Sequence, residues 1–457
     1  MIRHAKKSLP LLVLVLILIP VFAVAQDPDS PGPRETRMVA LEKMINAAGR
    51  ASMEKFIDDH IDASLLNTMT CDALLDLLGQ IRAKCAAAGG ITVEPDGDYG
   101  VEMTFMTPML VHLVKFEVLP EPPHKITMLS IEDRKREQQS SERWTWEDFA
   151  SRLDKAAADG FSGTVLVVRN GEVALHRGYG YADANDQVPN SENTVFAIGS
   201  TPIDFTRAAI LKLEERGKLE TSDPISKYFP DVPPDKATMT IDHILESRSG
   251  LPNFHHIPGT DADPDLAWID RDEAVRRILG KELLFAPGEG EAHSHSAWTL
   301  LAALVELASE QSYIDFLEKH FFEPLEMRDT GLYQKTQAMD KTRVAVGRVP
   351  TPFESNSPAN WGNTSWLVMG SGGMVSTCAD LYKWQSSLYS GDVLSAQSRD
   401  KYQLGGVFAG GNDRGFFCMF AMTPDAMMFM CSNADVGDGD DPARRVGRGL
   451  ARLVMSQ

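Results

Sequence analysis

Basic residues are in short supply in this chain of 457: 45 Lys and Arg stand against 64 Asp and Glu, a formal net charge of -19. That deficit argues against a nucleic-acid partner and favours solubility, without identifying a ligand. Cysteine is also scarce. The five present allow two disulfides and leave one thiol over. Cys418 and Cys431 flank T-P-D-A at 423–426, where a hairpin would set them nearly opposite each other. Buried free thiols are the expectation there, with a bridge as the alternative, because connectivity is not written in sequence.

A second long apolar run is missing as well. The one present, at residues 9–22, follows Arg3, Lys6 and Lys7 and precedes A-V-A at 23–25, the pattern of a secretory signal peptide. Its length leaves an uncleaved anchor as the alternative. The protein is therefore expected to be secreted or periplasmic, with no membrane span after cleavage. A full metal-ligand set is lacking too. His293 and His295, with His255 and His256 elsewhere, come nearest, so neither a metal nor a cofactor is expected.

What remains divides by pattern. After the signal (1–25) and a leader (26–34), residues 35–133 read as helices followed by strands. Met38, Leu41 and Ile45, then Met53, Phe56, Ile57 and Ile61, keep helical spacing, whereas Val114, Phe116 and Val118 alternate with Lys115 and Glu117. That order implies a small α+β domain, and its topology resembles the cone-shaped nuclear-transport-factor-2-like (NTF2-like) fold. The polar stretch 134–143 reads as a linker, and residues 144–457 as the large domain. In the latter, Asn170-Gly171 between two β-rich runs signals a hairpin, since both residues tolerate positive φ.

The large domain is organised around residues 196–213, F-A-I-G-S-T-P-I-D-F-T-R-A-A-I-L-K-L. A short apolar run meets Gly199-Ser200 and then turns into a helix. Serine at such a place is a frequent N-cap, and it is also a candidate nucleophile, because unpaired first-turn N–H groups favour an oxyanion beside it.

These residues carry a longer resemblance. F-A-I-G-S at 196–200, G-K-L at 217–219, D-P-I-S-K-Y-F-P at 223–230, S-G-L at 249–251, P-L-E-M at 324–327 and G-S-G-G-M-V-S at 370–376 are similar to the serine β-lactamase and penicillin-binding-protein family, especially its class C and esterase-like branch. The resemblance implies an α/β (α+β) β-lactamase/transpeptidase-like fold: an antiparallel sheet flanked by helices, plus an all-helical subdomain. It further implies a nucleophile at Ser200 and an oxyanion hole from the backbone N–H groups of Ser200 and Asn412, beside Gly411. Three proton-handling or charged positions of the family depart together. The lysine of S-x-x-K is Ile203, the Y-x-N triplet is His293-Ser294-His295, and the cation of the last motif is Ala409. His295 then stands where the family's asparagine orients substrate.

Losing one general acid–base group costs about 10² to 10⁴ in rate. The expected protein is thus an exported, β-lactamase-related serine-hydrolase-like pseudoenzyme that binds a small-molecule or cell-wall-like acyl ligand in the old cleft. One alternative is an esterase or amidase using Ser200 with His293 as base. Another is an interaction protein whose N-terminal domain holds a protein partner while the large domain serves as platform.

Overall fold

The computed structural model describes residues 33–46, 50–85, 90–106, 110–135, 143–253, 267–349, 355–402, 406–411, 414–436 and 441–456. The signal and most of the leader lie outside them. No helix of the described residues is long and apolar enough to cross a membrane.

The helical spacing near the N-terminus becomes α1 (Pro33–Asn46) and α2 (Arg50–His60), followed by α3 (Cys71–Cys85). The period-two region becomes β1 (Gly90–Asp96), β2 (Gly100–Met106), β3 (Leu110–Val118) and β4 (Ile126–Lys135), an antiparallel meander in sequence order. Leu41, Phe56, Leu74, Leu78, Phe105, Val114 and Phe116 share one core, which holds the helices on one sheet face. On the other face Lys115 meets its cross-strand neighbour Glu102 at 2.5 Å. Strand β4 continues to Lys135, two residues into the expected linker, because it stays paired with β3 at Leu110; residues 136–142 lie outside the description.

The large sheet contains β5 (Gly163–Arg169), β6 (Glu172–Tyr179), β7 (Gly406–Gly411), β8 (Phe417–Met422) and β9 (Ala426–Ser432), in the order β7-β8-β9-β5-β6. Asn170 and Gly171 both take positive φ, 52° and 80°, in the β5–β6 turn. Strand side chains alternate between two cores, so the middle strands are buried on both faces. Val165, Val167, Met428 and Met430 face a core with α4 (Phe149–Ala158) and the C-terminal helix. Leu166, Val168, Phe420 and Phe429 join the larger core of the helical region. That region is built on α5 (Pro202–Glu215) and α6 (His295–Ser309), with α7 (Cys378–Ser390) against the sheet; α8 (Pro442–Met455) closes the chain. Helix α6 is buried on every side from Ala297 to Val305, which its near-absence of charge permits. Thr206 of α5, fully buried, bonds the Tyr313 hydroxyl at 2.6 Å and donates to the Gly370 carbonyl at 2.7 Å.

Cys418 and Cys431 are directly opposed in the β8–β9 register, their sulfurs 3.4 Å apart as free thiols. Cys378 of α7 is buried with them, and the contacts of Cys431 with Cys378 and Cys418, together with burial, hold its thiol well above the usual range.

Candidate active site

Strand Phe196–Ala197 pairs with Met374–Ser376 and delivers the chain to a tight turn at Gly199. Glycine is required there twice over. Its φ is 53°, and a Cβ would come within 2.6 Å of the Gly411 nitrogen on β7. The close approach lays β7 along the serine: a Cβ on Gly410 would sit 3.0 Å from the Ser200 backbone nitrogen.

Ser200 is not the helix cap. Thr201 is the N-cap residue and Pro202 opens α5, while the Thr201 hydroxyl donates to the Ile198 carbonyl at 2.7 Å. The Ser200 hydroxyl is left to a side chain from another element, His295 Nε2, at 3.0 Å. His295 begins α6, whose cap is Ser294. Its backbone N–H donates to Asn253 Oδ1 at 3.3 Å, and its Nδ1 lies 3.2 Å from Asn253 Nδ2.

The expected dyad has His293 as the serine's base; here the hydrogen bond to Ser200 comes from His295. His293 is exposed and meets the His295 ring edge-on, with centroids 4.7 Å apart. The two histidines differ because His295 lies inside the helix start and His293 on the loop before it. Gly411 lies on β7 beside the Gly199 turn, and Asn412 lies outside the described residues.

Where the resembled family carries lysine, Ile203 is 7 % exposed and packed into the large core. Ala409 is exposed on β7, opposite Met419. Behind the serine turn, Asp204 accepts from Gln385 Nε2 at 3.0 Å, and burial pushes its carboxyl up to about 6 against the opposing charge of Arg207. Among the described residues no three His, Cys, Asp or Glu side chains are placed to hold a metal; His255 and His256 are outside them.

Asn253 escapes sequence reasoning. It carries no charge and fits no periodicity, and its only sign is its place two residues after S-G-L at 249–251. The site therefore joins three separate segments: a serine with its backbone amide beside a glycine strand, an imidazole on the serine oxygen, and an amide clamping the imidazole.

Comparison with known proteins places the large domain in a family. The Beta-lactamase family model matches residues 149–437. The chain is 29% identical over 292 residues to "Putative penicillin-binding protein PbpX" of Bacillus subtilis (strain 168), covering 62% of this chain and 70% of the relative. It is 33% identical over 228 residues to "Protein flp" of Staphylococcus aureus (strain MW2), covering 48% of this chain and 44% of that protein. Among solved structures, FmtA from Staphylococcus aureus superposes with a TM-score of 0.55 at 19% identity, covering 68% of this chain and 89% of that one. At that identity the likeness concerns the fold alone.

Proposed function

Because the chain belongs to the Beta-lactamase family, we propose that it is an exported serine-hydrolase-like protein with lost or much reduced turnover, whose old active-site cleft binds an acyl, peptidoglycan-like or small-molecule ligand. The observation that carries this is Ile203. An aliphatic side chain packed in the core stands one helical turn from Ser200, where a proton-carrying amine would be needed. Ala409 adds no cation on the facing strand. What the cleft keeps is a means of binding: the Ser200 amide at a helix start, with the Asn412 amide as its proposed companion, suits a carbonyl or carboxylate oxygen. Export rests on the N-terminal sequence pattern.

A second reading has one observation in its favour. The 3.0 Å contact of Ser200 with His295 is within reach for general-base catalysis by an imidazole, which would make the protein a slow esterase or amidase.

Intact-mass spectrometry after incubation with a fluorophosphonate and, separately, a penicillin distinguishes the two. The binding reading expects no stoichiometric adduct under conditions that fully label an active relative. An adduct that disappears in Ser200→Ala would establish a working nucleophile and favour the esterase.

A further inference from the structure

The contact between Ser200 and His295 looks like a nucleophile with its base, but the atom on the far side of the ring reverses its sense. The backbone N–H of His295 is an obligate donor, so the Asn253 side chain facing it at 3.3 Å must present its carbonyl oxygen. That fixes the amide orientation and leaves Nδ2, which only donates, 3.2 Å from His295 Nδ1. Nδ1 must then accept. A neutral imidazole has one N–H, which falls on Nε2, 3.0 Å from Ser200 Oγ. The ring thus donates to the serine oxygen and has no lone pair with which to take the serine proton. We infer that Asn253 is a positioning residue that holds His295 in the Nε2–H tautomer and so keeps Ser200 from being activated. This rests on the low-turnover reading above and supplies its cause at the imidazole that, among the described residues, reaches the serine.

The amide is one atom type away from a relay. In Asn253→Asp, one carboxylate oxygen still accepts from the His295 backbone N–H and the other accepts from Nδ1–H, which moves the lone pair to Nε2. With an ester probe, Ser200 Oγ would then bond to the carbonyl carbon while its proton passes to Nε2 and the C=O pair moves onto oxygen. Collapse breaks the bond to the alkoxide, which leaves as the alcohol with the Nε2 proton. Water repeats the sequence to release the acid and restore the serine. Restoring the tautomer is worth up to about 10⁴ in rate where the surrounding geometry is intact, and about 10²-fold is expected here because Ala409 contributes nothing.

The test uses the full mature chain with ¹⁵N-labelled histidine. Long-range ¹H–¹⁵N spectra, with His295 assigned from the signal missing in His295→Gln, are expected to show protonated Nε2 and bare Nδ1 in wild type, and the reverse in Asn253→Asp. Hydrolysis of p-nitrophenyl butyrate is expected to rise about 10²-fold in Asn253→Asp and to fall back in Asn253→Asp/Ser200→Ala. Protonated Nδ1 in wild type would overturn the inference, as would a tautomer change without any gain in hydrolysis. Should Asn253→Asp not fold, the wild-type spectrum alone decides the tautomer. A wild type that carries Nε2–H and nevertheless reacts with fluorophosphonate as an active relative does would remove the low-turnover reading and leave the tautomer assignment standing.

Discussion

At the scale of single residues, the proposed loss of turnover rests on a few side chains. Ile203 and Ala409 are visible in sequence because a motif tells the reader where a charge belongs. Asn253 is invisible there, because its role comes from facing a helix start 42 positions away in the chain. Asp204 belongs to the same scale. Its folded-state pKa is raised to about 6 from 3.8, so its contribution to stability is fully present below about pH 4 and is lost as pH rises through 6. Asp204→Asn keeps an acceptor for Gln385 and removes the half-buried charge. It should raise the free energy of unfolding from urea titration at pH 7.5 by roughly 1 to 3 kcal/mol and leave it nearly unchanged at pH 4. A variant less stable at both pH values would count against a desolvated, reluctant carboxylate.

At the scale of elements, periodicity was a good guide where strands and helices bury one face, and hairpin chemistry placed β5–β6 because only residues tolerant of positive φ fit that turn. The β8–β9 hairpin also sets Cys418 opposite Cys431, as the spacing requires. Whether opposed cysteines bridge is a matter of side-chain packing, and here three thiols share the space between β8, β9 and α7 as free groups. Only Cys71 is exposed. A thiol reagent should therefore modify one cysteine of the five in the native protein and all five in denaturant without reductant. Three in denaturant would reveal a bridge. The helix cap is the element-level detail that sequence misassigns. Gly-Ser before a helix suggests a serine cap, but the turn at Gly199 shifts the helix start by one residue, so Thr201 takes the cap position and the Ser200 hydroxyl is left to His295.

At the scale of the whole molecule, the N-terminal helices and meander have their own core, distinct from those of the large sheet and the helical region. Lys43 of α1 reaches Glu282 at 2.6 Å, with the glutamate side chain 84% exposed. Such a pair contributes little, so Lys43→Ala should change the free energy of unfolding by less than about 1 kcal/mol, and a larger loss in urea titration would mean the contact holds more of the structure than its exposure allows. By itself the sequence determined the strand and helix order, the acidic balance, the serine turn and the loss of the lysine, because these follow from local periodicity, composition and residues adjacent in the chain. Only the tertiary structure decided which histidine meets Ser200, that Thr201 rather than the serine caps α5, and that an asparagine amide stands behind the imidazole. Those outcomes depend on where α6 begins relative to the serine turn and on the direction of individual N–H and C=O groups around His295, which one-dimensional spacing does not encode.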